Sequence, residues 1–249
     1  MKKMLYRLTL LSLFCFSAPI FASGNWFAGI GGGATFLNVK RYDYISGGTG
    51  WPNDRMHNNN VEPAPLFMVD GGYQWARNNT WFPFYSLALN YTYALASKVS
   101  GLVQQYSLPE FTNYEYQYKI KTQTFLAQIK TDLYRWPHLM PFLLAGAGMS
   151  LNNASHYTEQ ARQNVTPRVS PGFRGQTNTA FSYAFGAGLD FIIQKNIWAS
   201  LMYQYSHLGQ AKTGYGVNSS TLTDTNYDTD QLTTPVRSNA VILSVTYLA

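Results

Sequence analysis

The sequence predicts an all-β fold, an eight-stranded antiparallel up-and-down barrel that crosses a membrane, with four long external loops and three short turns on the opposite side. Three observations carry this reading. The 249-residue chain is 46% hydrophobic and 16% aromatic but only 12% charged, about half the charge of an ordinary soluble protein. That balance excludes a disordered chain, which needs few aromatic residues and many charges. The mean hydropathy is only -0.19, and beyond the N-terminus no apolar run approaches the roughly 18 residues of a membrane helix, which excludes a helical membrane protein. Apolar residues recur instead with the two-residue period of strands, and the connections between them alternate strictly in length.

The first element is a leader. Residues 1–7 hold Lys2, Lys3 and Arg7 without an acid, residues 8–16 are an apolar run, and Ala22 follows Ala18 and Pro19 as a small residue at a cleavage point. This pattern predicts a secretory signal peptide over 1–22 and a barrel domain over 23–249. An anchor helix fits less well because the run is short and Pro19 interrupts it. Cys15 lies in the leader, so the mature chain has no cysteine, which excludes a disulfide scaffold. Loss of the leader's three basic residues lowers the net charge from +6 to +3, and a nucleic-acid partner loses its main support.

The strands follow in order. Trp26, Ala28, Ile30, Ala34 and Phe36 form the outward face of the first, and Phe67, Val69, Gly71, Tyr73 and Trp75 that of the second. Leu87, Leu89, Tyr91 and Tyr93 alternate with Ser86, Ala88, Asn90 and Thr92. Phe125, Ala127, Ile129 and Leu133 oppose Thr124, Gln128, Lys130 and Asp132, and Leu143, Ala145, Ala147 and Met149 oppose small residues. Phe185 to Phe191, Leu201 to Tyr205 and Val241 to Tyr247 complete eight strands of about 9 to 11 residues, the length of a tilted membrane strand. In the fourth, the outward phase slips between residues 114–120 and 125–133; a bulge near Thr122 is expected there, with extension of the strand above the membrane as the alternative.

A soluble sandwich would share the alternation, so the connections decide. Those around Arg77 to Thr80, Arg135 to His138 and Gln194 to Asn196 are short, whereas residues 38–65, 96–113, 153–178 and 209–236 are long. Trp26, Trp75, Trp81, Trp136 and Trp198 all fall at the short-turn end, as an interfacial aromatic girdle requires, while Trp51 alone does not. Tyr91, Tyr93, Tyr116, Tyr118, Tyr203 and Tyr205 fall toward the other rim. The first loop, with Gly47, Gly48, Gly50 and Pro52, is rich in turn residues.

The inward-facing polar residues are Asp70, Asn90, Gln128, Lys130, Asp132, Asp190 and Gln204. Eight strands enclose a lumen about wide enough for its own side chains, so a network of internal ion pairs and hydrogen bonds is expected, with a narrow ion path as the alternative. Gly29, Gly31, Gly32 and Gly33 lie within a strand and make room for large neighbours rather than a phosphate loop. His57, His138 and His156 show no metal-ligand spacing, and Asp224, Asp228 and Asp230 miss the spacing of a calcium loop, so neither metal nor cofactor is expected. Arg162, Arg168, Arg174, Lys212 and Arg237 lie where lipopolysaccharide phosphates would meet the external rim.

The stretch from Gly186-Ala187-Gly188-Leu189-Asp190-Phe191 through Trp198 to Tyr203-Gln204-Tyr205-Ser206-His207-Leu208-Gly209 resembles the penultimate hairpin of the outer-membrane β-barrel family that includes OmpA-type and opacity-type surface proteins. Pro141-Phe142-Leu143 with Gly146 and Gly148 is similar to that family's fifth strand, and the final alternation ends in Tyr247-Leu248-Ala249 where such barrels usually end on an aromatic residue. The resemblance implies an eight-stranded Gram-negative outer-membrane barrel, a monomer in contact with outer-membrane lipid and lipopolysaccharide. A structural or surface-interaction role, with host or environmental ligands at the loops, is the expected function; a channel or a lipid A-modifying enzyme is the alternative. The enzymatic pattern would need a serine two residues after His207, where Gly209 stands, and Ser206 on the same strand faces the other side.

Overall fold

A computed structural model describes residues 23–39, 42–46, 50–217, 219–220, 225–226 and 230–249. The predicted leader with Cys15, together with Gly47, Gly48, Asp224 and Asp228, lies outside the described residues. The strands are β1 (Ser23–Val39), β2 (Tyr42–Ile45), β3 (Asp54–Val61), β4 (Ala64–Ala76), β5 (Phe84–Gln104), β6 (Thr112–Asp132), β7 (Leu139–Ala161), β8 (Gln176–Gln194), β9 (Ile197–Lys212), β10 (Ser219–Ser220), β11 (Thr225–Asn226) and β12 (Thr233–Leu248). Eight of these form a closed antiparallel ring in the order β1, β4, β5, β6, β7, β8, β9, β12 and back to β1. Closure pairs the backbone polar groups that lipid cannot satisfy and leaves no open edge.

The turns at the near end are short, as the sequence indicates, down to two residues between β8 and β9. The long external loops are a different matter: they are largely strand. β5, β6 and β7 run for 21, 21 and 23 residues, about twice the length that spans a bilayer. Above Ala94, β3 replaces β4 as the partner of β5, and β2 adds to β3. The Asp43 carboxylate accepts the Thr233 amide at 2.9 Å and Asp230 accepts that of Ser46 at 2.8 Å, which ties this hairpin to the β9–β12 connection. The barrel therefore continues outward as a second storey.

The two storeys are built with opposite polarity. In the lower one, outward positions are the exposed apolar residues Ile30, Phe67, Leu89, Phe125, Leu143, Phe185, Leu201 and Leu243, and inward positions combine polar residues such as Asn90, Gln128 and Asp190 with apolar layers such as Met68, Phe142 and Met202. In the upper one, the interior is an apolar core of Ile45, Met56, Val99, Val103, Ile120 and Val236, joined by Tyr114, Tyr116, Tyr118 and Tyr157. Lipid rewards apolar groups on the outside, whereas above the membrane water makes the same groups worth about 1.5 to 3 kcal/mol each when they are turned inward.

This inversion corrects the reading of β6. Its even-numbered residues face inward without interruption from Tyr114 to Asp132, so β6 itself has no bulge and no slip of phase; the irregularity near Thr122 is carried by its partner, where Ala94 pairs with Thr122 and Ser97 with Ile120. The irregularities lie on the flanking strands, between Ala94 and Ser97 in β5 and opposite Gln117 to Lys119 in β7, where His156 has a φ of 58°. Tyr116 and Tyr118 accordingly belong to the upper core, not to a rim.

The tryptophan girdle is corrected at one position. Trp26, Trp81 and Trp136 are exposed and Trp75 faces outward beside Tyr73, with edge contacts linking Trp26, Tyr73 and Trp75. Trp198 is only 6% exposed and turns inward, where it packs on Met140, Leu248 and Phe84 and closes the near end of the lumen. Its neighbours in β9 explain this: Ser200, Met202 and Gln204 share its face and are buried.

Candidate functional site

The lumen holds the predicted polar residues. Lys130 donates to Asp190, which is fully buried, and Ser200 Oγ donates to the other Asp190 oxygen at 2.6 Å. Lys130 also lies over the Phe142 ring at 4.1 Å. Thr92 Oγ1 donates to Asn90 at 3.0 Å, and Gln204 Nε2 to Ser206 at 3.1 Å. Asp70 and Gln128 line a cavity of about 60 Å³ with Lys130, Gln74, Ser86 and Ser200; this is room for a few waters. Asp132 is buried beside this group. A Cβ at Gly29 would collide with the Asp70 carboxylate, and one at Gly31 would come within 3.1 Å of Met68, so these glycines admit larger neighbours.

Apolar residues close the lumen on both sides of this polar layer. Below it stands the Met140, Trp198 and Leu248 cluster. Leu66, Met68, Phe142, Leu144, Met202 and Ile242 pack across the barrel, and the upper core lies above them. The connection between β7 and β8 adds a further cover: Phe173 is buried against Tyr157, with ring centroids 4.9 Å apart.

Arg168 anchors the same connection. Its guanidinium donates to both Asp54 and Glu159, the latter at 2.6 Å from Nε, and lies 4.7 Å from the Tyr114 ring. Burial raises the Asp54 carboxyl above the usual carboxylate range against the pull of Arg168. Burial likewise pushes Tyr116, Tyr118 and Tyr157 up, so they remain neutral donors; Tyr157 donates to Glu159 at 2.8 Å and Tyr116 donates to Asn58. Of the rim cations read from the sequence, Arg168 is thus a half-buried structural residue, Arg162 lies 3.6 Å from Glu115, and Arg174 and Arg237 are exposed.

His207 faces outward and stacks flat on Tyr183 at 5.0 Å, accepting the Gly209 amide through Nδ1 at 3.3 Å. Ser206 is buried on the inward face. The two do not meet. Among the described residues, no group of three His, Cys, Asp or Glu side chains is placed to hold a metal ion.

The sequence reading did not assemble the feature at the outermost end. Trp51 is 57% exposed and packs on Tyr106 at 4.8 Å, and Tyr106 meets Phe111 edge-on at 6.0 Å. Leu108 and Phe111 are also exposed. Tyr106 and Ser107 adopt positive φ values of 55° and 60°, a strained backbone for bulky residues. Hydrogen bonds hold it: Asp54 accepts the Tyr106 amide at 2.9 Å, and Ser107 Oγ donates to the Asn53 carbonyl at 2.7 Å. Because Asp54 also binds Arg168, one buried carboxylate supports both the cover and the aromatic tip. The available signal was Trp51, the tryptophan that lies away from the turn-side rim.

The family model for the outer membrane protein beta-barrel domain matches residues 8–237. Among solved structures, Neisserial surface protein A is similar at 15% identity over 90% of this chain and 98% of that one, with a TM-score of 0.44. The outer membrane protein OprG from Pseudomonas aeruginosa is similar at 14% identity, 90% and 96% coverage and a TM-score of 0.45. The outer membrane protease OmpT from Escherichia coli is similar at 11% identity, 94% and 99% coverage and a TM-score of 0.42. No curated protein matches the sequence. The family match over most of its length, together with the closed ring of antiparallel strands, makes this chain a member of the outer membrane protein β-barrel domain family, located in the cell outer membrane.

Proposed function

We propose that the protein is a non-enzymatic surface-interaction barrel, exported by its N-terminal leader and acting as a monomer, that presents a rigid aromatic tip to ligands outside the cell. The observation that carries this is the exposure of Trp51, Leu108 and Phe111 around the half-buried Tyr106, whose positive-φ backbone is held by Asp54. Exposed aromatic residues on a preorganised backbone bind at low entropic cost, and contiguous exposed apolar groups mark interaction sites. The host or environmental ligands meet this tip, while the outward wall meets outer-leaflet glycolipid.

The polarity of the lumen by itself would suit a channel. The apolar layers around Trp198, Phe142 and the upper core weigh against that reading, because closely packed apolar side chains exclude the water that ions need to pass. The separation of His207 from Ser206 weighs against acyl hydrolysis. Cells displaying the intact chain and a Trp51→Ala/Phe111→Ala variant should be compared for adhesion to protein-coated and bare surfaces. The reading predicts several-fold lower adhesion for the variant at equal surface display. Unchanged adhesion, or regular conductance steps from the intact protein in planar bilayers, contradicts it.

A further inference from the structure

On the outward wall, β5 and β6 carry three lysines where the apolar band ends. Lys98 and Lys119 are direct cross-strand partners, and like charges so placed destabilise a sheet by repulsion. Lys121 joins them from the next outward position on β6, with its Nζ 4.8 Å from the centre of the Tyr93 ring. Glu62 approaches Lys98 at 3.9 Å, while Glu115, farther out on β6, faces Arg162. Among the described residues, neither Lys119 nor Lys121 has an acidic partner within ion-pair distance. The opposite wall differs: where β9 and β12 leave the band, Arg237 is paired in register with His207, beside Asn239 and Tyr205.

Below the lysines the same wall is hollowed. A groove of about 380 Å³ runs among Val69, Leu89, Tyr91 and Phe125, with Gly71 and Ala127 as its small residues. Tyr91 and Phe125 contact each other at 4.7 Å at its upper side. Ala127 lies six residues from Lys121 along β6, about 20 Å of strand, and at a tilt of about 45° this is about 14 Å of depth. That is about half of the roughly 30 Å hydrocarbon core. The groove therefore sits at acyl-chain depth and the lysines at headgroup depth.

We propose that this face of β5 and β6 binds a phosphorylated, multiply acylated glycolipid of the outer leaflet, with its phosphates on Lys98, Lys119 and Lys121 and an acyl chain in the groove. Charge complementarity names the occupant: a sugar headgroup with more than one phosphate offers separated anions to the separated lysines, and its attached chains supply the apolar partner. The inference deepens the lipid-partner part of the proposed function and does not involve the aromatic tip.

The test uses the full folded chain in detergent, titrated with diphosphorylated lipid A, with its dephosphorylated form and with phosphatidylglycerol, bound lipid being read by native mass spectrometry. Three basic residues at an anionic surface predict about 100-fold weaker lipid A binding by a Lys98→Gln/Lys119→Gln/Lys121→Gln variant. Dephosphorylated lipid should bind as weakly to the intact protein, and Arg237→Gln should bind lipid A normally. The heat-dependent gel shift of a closed barrel confirms that each variant is folded. Equal lipid A binding by the folded triple variant, or equal affinity of the intact protein for phosphatidylglycerol, overturns the proposal. Adhesion through the tip is unaffected by either result, so the two readings fail separately.

Discussion

The lower and upper storeys of the barrel share the same strands yet obey opposite rules. In the lower storey Leu89 is 75% exposed and Asp190 is wholly buried; in the upper, Val99 and Val103 of the same strand as Leu89 are wholly buried. Strand geometry is continuous through both, so geometry does not set the pattern. The solvent does. Apolar groups face outward only as far as lipid extends, and above that height the barrel is an ordinary water-soluble structure with a core.

The largest expected effect breaks the upper storey alone. Arg168→Ala leaves Asp54 and Glu159, whose side chains are each 2% exposed, as buried charges without their shared cation. Removing one partner of such a cluster costs about 3 to 5 kcal/mol. Hydrogen exchange should accelerate in β3 and the outer end of β7, while the lower storey keeps its protection and its heat-dependent gel shift. Uniform loss of protection would show that the storeys are one cooperative unit.

A charge on the outer wall should separate the storeys next. Leu89→Arg places a cation against hydrocarbon and should cost about 2 to 4 kcal/mol in refolding titrations into lipid. Gln117→Arg, outward on β6 in the upper storey, should stay within about 0.5 kcal/mol of the parent. Comparable costs at the two sites would contradict the different surroundings assigned to them.

How much of this was legible in the sequence depends on the storey. The lower one was read residue by residue, because Phe125, Ala127 and Ile129 against Gln128 and Lys130 declare both the period and the side that meets lipid. The upper one shows the same period with no such label. Tyr116 and Tyr118 read as rim residues because periodicity identifies a face without saying whether water or lipid lies beyond it. Trp198 misled for a related reason: tryptophan suits an interface and an apolar plug equally well, and its inward phase with Ser200 was the overriding signal. The aromatic tip joins Trp51 to residues some 55 positions away through Tyr106, a proximity created by the pairing of β3 with β5. The Arg168 cluster likewise joins Asp54 to residues more than 100 positions distant.

A smaller effect sharpens the view of the tip. Trp51→Ala should leave the stability of both storeys within about 0.5 kcal/mol, since an exposed ring contributes mainly to binding. Thermal unfolding of the purified variant checks this, and a loss above 2 kcal/mol would make Trp51 a structural residue.

The inversion itself is tested most directly by spin labels placed singly along β6 in lipid bilayers, with collisions read against oxygen and a water-soluble nickel complex. The account predicts that labels at 125, 127 and 129 meet oxygen, those at 115, 117 and 119 meet nickel, and those at 116, 118 and 120 meet neither. Nickel access at 116, 118 and 120 would reveal an open, water-filled upper storey, and oxygen access there in place of 115, 117 and 119 would reveal a true phase slip. Either result contradicts a barrel that keeps one inward face along β6 and packs it as a dry apolar core above the membrane.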